Sequence, residues 1–300
     1  MNARSVIDGR PADSGDDGSL RPIQASYESS GYSESHVEIS VVIPAFNEAK
    51  DIGRTIDSLR HYFASRRMSF EVCVVDDGSQ DNTLELARRL NVSKLLVNST
   101  NMGKAAAVRK GVLRTSGQYV LVMDCDSSTP IDELDKLLRH TEEADLVIAS
   151  RYLPQSEILA KQPPWRQLNS LLFRSIARGL MALGVSDSQC GFKLFRSTTI
   201  ESVFGEPFLG RFSFDVEILR RAIDSHWRIS EVPVVWRDRP DSRLRPRDVL
   251  MMYVDLIRAW LHFSFNHRQT QGESHPLRGP AQTCRADDSK AQYRKNRSYS

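Results

Sequence analysis

The sequence lacks most of the short signatures from which a function is usually read. Its four cysteines, Cys73, Cys125, Cys190 and Cys284, form no CxxC pair, and its seven histidines form no HxxxH pair. Neither a zinc site nor a disulfide framework is indicated, and a reducing, cytoplasmic setting fits this cysteine usage. No run of about 18 uncharged apolar residues occurs, so no membrane-spanning helix is expected. The first 36 residues hold no apolar stretch after a basic start, so no secretory signal is expected either. The Gly-rich phosphate loops GxxxxGK(S/T) and GxGxxG are both missing. The formal net charge is only +3, which gives no argument for a nucleic-acid partner. No internal repeat at solenoid periods is visible.

What is present is an ordinary globular composition, 40% hydrophobic and 26% charged over 300 residues, enough for one large domain or two small ones. Two apolar runs end abruptly in carboxylates: Val74-Val75 in Asp76-Asp77-Gly78-Ser79, and Val120-Leu121-Val122-Met123 in Asp124-Cys125-Asp126. An apolar run bounded by turn residues reads as a buried strand, and carboxylates are rarely buried unless paired or metal-bound. Two adjacent strands with acids at their C-terminal ends predict the crevice where α/β sheets bind ligands. Here the pattern suits a nucleotide held with a divalent cation.

The spacing of apolar residues predicts strands over Val37–Ile43 (stopped by Pro44), Phe70–Val75, Leu95–Asn98, Tyr119–Asp124 and Ala144–Ser150. Between them it predicts helices over Lys50–Ser65, Thr83–Leu90 with Asp81 as N-cap, Lys104–Thr115 and Ile131–His140. This alternation implies an α/β fold with a parallel, doubly wound sheet. After Arg151 the rhythm changes. A long helix over Trp165–Leu183 is followed by short strands at Cys190–Arg196 and Arg228–Trp236 around a helix at Phe214–Ser225. An Arg-rich stretch to Arg247 then leads into an apolar helix from Val249 to about Phe265.

In extended chain alternate residues point the same way, so Asp124 and Asp126 can direct oxygens toward one spot. Hard oxygen ligands suit Mg²⁺ or Mn²⁺ shared with substrate phosphates. A DxD by itself is usually a solvated turn, and its place at the end of a buried strand makes it a metal candidate. Asp76 and Asp77 end the other run, although Asp-Gly-Ser is also good turn chemistry. Pro44-Ala45-Phe46-Asn47-Glu48 lies on the same sheet edge, where Asn47 and Glu48 either read a base or ribose or cap the next helix. Asn101-Met102-Gly103-Lys104 opens a helix whose N-terminus, with Lys104, suits an anion.

Taken together, Pro44–Glu48, Asp76–Ser79, Asn101–Lys104 and Asp124–Asp126 resemble, in order and spacing, the motifs of family 2 glycosyltransferases. The resemblance runs from about Val37 to Trp260. Asp187-Ser188-Gln189-Cys190-Gly191-Phe192-Lys193, Phe214-Asp215-Val216-Glu217 and Glu231-Val232-Pro233-Val234-Val235-Trp236 narrow it to the dolichyl-phosphate or polyprenyl-phosphate β-glucosyltransferases. It implies the GT-A (Rossmann-like) nucleotide-diphospho-sugar transferase fold with a mostly parallel central sheet. It further implies that Pro44, Ala45, Asn47, Glu48, Asp76 and Asp77 hold the nucleoside and that Lys104 lies near the base or diphosphate. Asp124 and Asp126 would hold Mg²⁺ or Mn²⁺ on the diphosphate. Arg151 and Gln189 would face the transferred sugar or the acceptor phosphate. The sequence departs from the membrane-bound eukaryotic members in having no N-terminal spanning helix, and in Cys125-Asp126-Ser127-Ser128 where Ala-Asp-Gly or Ala-Asp-Leu is more usual.

On this reading residues 1–36 are a disordered N-terminal extension, 37–267 a GT-A glycosyltransferase domain and 268–300 a disordered basic tail. Within the domain, 37–151 is the nucleotide-sugar-binding half and 152–267 the acceptor half. The expected chemistry is inverting transfer of a hexose, glucose from UDP-glucose, to a polyprenyl or dolichyl phosphate. A phosphate acceptor is already anionic and needs cationic positioning, for which Arg151, Arg237, Arg239, Arg243 and Arg245 are candidates. An alcohol acceptor would need a carboxylate base, and Asp215 is the candidate. The Arg-rich stretch and the apolar helix after it suit a membrane interface, on the cytoplasmic face, or else a core helix or oligomer contact. GDP-mannose-dependent transfer, a different acceptor, and a non-enzymatic nucleotide-sugar-binding scaffold are the competing readings. The sequence does not indicate an oligomeric state.

Overall fold

The computed structural model describes residues 37–160, 163–237, 246–270 and 284–285. In chain order its first elements are β1 (Ile39–Ala45), α1 (Ile52–Arg66), β2 (Phe70–Asp76), α2 (Thr83–Arg89), β3 (Lys94–Val97), α3 (Lys104–Val112) and β4 (Tyr119–Val122). A 3₁₀ turn at Ile131–Glu133 runs into α4 (Leu134–Leu138) and then β5 (Leu146–Ser150), β6 (Glu157–Ala160) and α5 (Pro164–Met181). The chain continues through β7 (Lys193–Arg196), α6 (Ile200–Phe204), α7 (Phe214–Asp224), β8 (Ile229–Pro233), β9 (Val235–Arg237), α8 (Pro246–Thr270) and the pair β10 (Cys284–Arg285).

The main sheet has the order β10-β8-β5-β7-β4-β1-β2-β3, and β6 pairs with β9 in a separate ribbon. β1 is an interior strand between β4 and β2, and Ile39–Ile43 is wholly buried and, apart from Ser40, apolar on both faces. Alternate residues feed two cores. Val42, Val75 and Val122 face α3, α5, α7 and α8 through Val108, Phe173, Val216 and Leu256. Ile43, Val74 and Leu121 face α1 and α4 through Ile52, Ile56, Leu59, Phe63, Leu134 and Leu137. The described residues all belong to one compact unit, Ser35–Ser300.

Several expectations are corrected. The two acid-tipped strands are not adjacent: β1 lies between them, paired in parallel with β2 on one side and β4 on the other. Pro44 does not stop the first strand. Pairing to β4 ends at Val42–Val122, so the missing N–H of Pro44 faces the side where no ladder continues, and β1 runs on to Ala45. β7 is inserted antiparallel between β4 and β5, which breaks the all-parallel pattern. The single strand expected over Arg228–Trp236 is two, because the chain leaves the sheet after Pro233 and Val235–Arg237 joins β6. The residue 1–36 extension lies outside the described residues. So does the 268–300 tail, except for the end of α8 and β10.

Candidate active site

The loops after β1, β2 and β4, the turn before α3 and the segment leading into β7 all emerge at one edge of the sheet, because the first three strands are parallel and β7 enters reversed. Backbone and side chains sew these loops together. Asn47, in the left-handed region at φ 57°, donates its N–H to Ser79 Oγ (2.9 Å) and accepts from the Gln80 N–H through Oδ1 (2.7 Å). The Glu48 N–H donates to Thr83 Oγ1 at 2.7 Å. The expected N-cap of α2, Asp81, accepts from the N–H of Thr83 at 3.0 Å, although Asn82 occupies the cap position itself.

The two acids after β2 do different things. Asp77 is spent inside the protein: it accepts from Asn98 Nδ2 (2.7 Å), the Met102 N–H (2.9 Å) and the Gly103 N–H (2.7 Å), and so shapes the turn that opens α3. Asp76 accepts from the Ser79 N–H through Oδ2 (3.2 Å), while its Oδ1 is buried without a hydrogen-bond partner. A buried carboxylate oxygen left unsatisfied is costly unless something binds it.

Asp124 and Asp126 come together by a route other than strand alternation. β4 ends at Val122, and the acids lie in a turn closed by the Ser127 N–H on Asp124 O (3.3 Å), with Ser127 left-handed at φ 52°. Asp126 Oδ1 accepts from the Ser128 N–H at 2.8 Å. Burial, and then the neighbouring charge of Asp124, push the Asp126 carboxyl above the ordinary range. Asp124 is paired with Lys104. Desolvation works against the Lys104 charge, but Asp124 and Asp215 outweigh it and hold the ammonium above its ordinary value. Asp124 lies so close to Gly191 that a Cβ there would fall 2.1 Å from Oδ2. Among the described residues no group of three or more His, Cys, Asp or Glu forms a metal cage. Two mutually repelling carboxylates still fit a Mg²⁺ or Mn²⁺ ion, which commonly takes one or two protein carboxylates and completes its shell with water and substrate phosphate.

Arg151 follows β5 and is locked to Asp187: Nε to Oδ2 at 2.7 Å, Nη2 to Oδ1 at 2.9 Å, and its own N–H to Oδ2 at 3.1 Å. Burial opposes the Asp187 charge, yet the adjoining guanidinium holds that carboxyl below its usual range. Gln189 donates its N–H to Asp187 Oδ1 at 3.1 Å. Asp215, the candidate base, accepts from buried Lys193 Nζ at 2.5 Å, and the same ammonium donates to Cys190 O at 2.5 Å. Asp215 is therefore the anchor of a lysine. Arg243, Arg239 and Arg245 lie outside the described residues, while Arg237 donates its N–H to Ser128 O at 2.9 Å.

Two arginines escaped sequence reasoning. Arg174 on α5 stacks its guanidinium 3.5 Å from the Tyr152 ring centroid, and its Nη1 is buried without a hydrogen-bond partner. With Arg151, Tyr152, Trp236, Ile158, Leu168 and Leu171 it lines a pocket of about 410 Å³. Arg211 donates to Asn101 Oδ1 at 2.7 Å and crosses Gly103, whose φ of +96° and contact with Arg211 exclude a side chain. Neither stood in a motif; Ser170 and Arg174, one turn apart on α5, both meet Tyr152, a contact between distant segments that no sequence spacing shows. The pocket is tied to the carboxylate turn through residues next to its lining. Asp187 and Gly191 are separated by at most about 14 Å of chain, and Trp236 precedes the residue bonded to Ser128.

Residues 40–204 match the family model described as glycosyl transferase family 2. The chain belongs to that family. This glycosyltransferase is 32% identical over 247 residues to a dolichyl-phosphate beta-glucosyltransferase of Trichomonas vaginalis, covering 77% of this chain and 73% of the relative. It is 31% identical over 242 residues to a dolichyl-phosphate beta-glucosyltransferase of Dictyostelium discoideum, covering 74% of each. Among solved structures, glucosyl-3-phosphoglycerate synthase from Mycobacterium tuberculosis, in complex with Mn²⁺, uridine diphosphate and phosphoglyceric acid, superposes with a TM-score of 0.58 at 22% identity. That match covers 74% of this chain and 78% of the other, and it establishes the GT-A fold. No helix among the described residues is long and apolar enough to cross a membrane.

Proposed function

We propose that this glycosyltransferase moves glucose from UDP-glucose to the phosphate of a dolichol-type polyprenyl lipid, with inversion at the anomeric carbon. The observation that carries the reading is the pocket tied to the carboxylate turn. It presents an apolar wall and Arg174, whose buried Nη1 has no hydrogen-bond partner, which suits a phosphate joined to a hydrocarbon chain. Similarity to dolichyl-phosphate glucosyltransferases supports the same acceptor.

In this scheme Asp76, through its open oxygen, reads the nucleoside, and Pro44, Ala45, Asn47 and Glu48 frame it. Asp77 sets the turn before Lys104, and Lys104 meets the diphosphate. Asp124 and Asp126 would hold the divalent ion, whose chemistry when bound is Lewis-acid stabilisation of the departing nucleoside diphosphate. Arg174 and Arg151 orient the acceptor phosphate, with Gln189 at the sugar. A phosphate oxygen forms the new bond to the anomeric carbon as the bond to the diphosphate breaks. No proton has to be removed, which accords with Asp215 serving Lys193.

Membrane contact is part of the proposal. α5 is apolar on two faces: Phe173, Ala177 and Met181 are buried, while Trp165, Leu168, Leu171 and Leu172 are exposed. α8 adds exposed Leu250, Ile257, Trp260 and Leu261. Exposed apolar area on this scale marks an interaction surface, and it begins at the pocket, which shares Leu168 and Leu171. The test is a panel of UDP-glucose and GDP-mannose, each with and without polyprenyl phosphate and Mg²⁺ or Mn²⁺. Transfer only with UDP-glucose and lipid phosphate is expected; GDP-mannose preference or lipid-independent transfer would overturn the assignment. Arg174→Gln should raise the KM for the lipid phosphate roughly 10- to 100-fold, the span of a lost charge-assisted hydrogen bond, and leave UDP binding unchanged.

A further inference from the structure

We propose that the Lys104 ammonium is a built-in counterion of the metal site that a divalent cation has to displace, so that the cation enters with the nucleotide diphosphate and not ahead of it. The inference rests on reading Asp124 and Asp126 as the ligands of the donor's metal.

Lys104 is paired with Asp124, the first of those ligands. Asp124 cannot withdraw from it on the side of Gly191, against which its other carboxylate oxygen lies. The ammonium is thus wedged against an oxygen the cation needs. It also has somewhere to go. The Phe214 ring lies 6.0 Å from Nζ, and the next residue, Asp215, is held by Lys193 at 2.5 Å. Asp215 lies near enough for its charge to act on Lys104, and Lys193 holds that carboxylate in place, so an ammonium displaced from Asp124 still has a carboxylate close by.

The charge arithmetic follows. Two carboxylates and one ammonium leave the site with a net charge of about −1, so a free divalent ion meets roughly half the field that Asp124 and Asp126 alone would give. A diphosphate changes this balance. Its oxygens accept the ammonium and complete the shell of the ion, so each ligand removes the obstacle to the other. Reciprocal strengthening is the required thermodynamic result. Solvent screens a half-exposed ammonium, and even so its removal should tighten binding of the ion alone by about tenfold.

The experiment titrates Mn²⁺ into the full chain, with free ion read by electron paramagnetic resonance, in the absence and presence of UDP. Wild type, Lys104→Gln and Lys104→Arg are compared. Lys104→Gln is expected to bind Mn²⁺ alone about tenfold tighter than wild type, to lose most of the mutual enhancement between Mn²⁺ and UDP, and to melt like wild type. Lys104→Arg, which keeps the charge, should behave like wild type. Equal Mn²⁺ affinity in wild type and Lys104→Gln would overturn the counterion role. Absence of Mn²⁺ binding by wild type even with UDP would overturn the metal reading and the inference with it, and the two failures are distinguishable.

Discussion

Replacing Gly191 with alanine adds one methyl group at a position whose backbone tolerates it, and that methyl group meets Asp124. An ideal Cβ at 191 would lie 2.1 Å from Oδ2, 2.6 Å from Cγ and 2.9 Å from Oδ1. The carboxylate has to retreat by roughly 1 Å, a misplacement that in an active site costs on the order of a hundredfold in rate. Lys104 occupies the other side, so the retreat also strains that pair. The cost to folding is smaller: overpacking runs about 1–3 kcal/mol, and Asp124 is partly solvated, which favours the lower end. A chain of this size should then melt roughly 2–4 °C lower. The assay pairs the Tm with kcat/KM over a Mn²⁺ series. We expect a near-normal Tm, a fall of about a hundredfold in kcat/KM and a higher metal requirement. Wild-type kcat/KM at the wild-type metal requirement would refute the placement of Asp124 in the reaction.

Asp187→Asn should leave the Arg151 guanidinium unpaired in a nearly buried position and cost about 3–5 kcal/mol, measured as a lower urea midpoint. Asp77→Ala strips the turn before α3 of three hydrogen bonds; the KM for the nucleotide sugar should rise at least tenfold while the lipid KM stays put, which initial-rate kinetics would check. Glu71 gives a pH signature away from the site. Burial opposes its charge, but Lys94, Ser40 and Ser116 outweigh it and hold the carboxyl below its ordinary 4.5. Such a group stabilises the fold above its ordinary pKa and loses that contribution as pH falls through the folded value. Wild-type Tm should therefore drop more steeply than that of Glu71→Gln below pH 4.5, with the variant less stable at pH 7. Leu171→Glu with Leu172→Glu should abolish flotation with anionic vesicles and leave Tm within a few degrees, since both side chains are exposed.

The loops proposed to hold the donor were legible as a cluster because their information is local. Strand β1, the Asp76-Asp77 turn and the Asp124–Asp126 turn each combine an apolar run with the polar residues that end it, and short-range spacing suffices to place them. The division of labour between Asp76 and Asp77 was not legible, because it depends on Asn98, Met102 and Gly103 folding back across β3. The pocket proposed for the acceptor was less legible still. Arg151 was found by its motif, but its neutralisation by Asp187 and the exposure of Arg174 to the pocket depend on the reversal of β7 and the lie of α5. The helix periodicity of α5 identifies two apolar faces without saying which of them the fold leaves uncovered.

The reversed strand has a consequence for how this enzyme comes into being. As the chain leaves the ribosome, β1 to β5 are all synthesised before Lys193–Arg196 exists, yet β4 and β5 touch only through that later strand. The nascent sheet carries two unpaired inner edges until β7 arrives, and open edges invite pairing with other chains. The loops after β1, β2 and β4 thus cannot mature ahead of the segment that supplies β7, and a cut anywhere between Ser150 and Lys193 should yield two insoluble pieces.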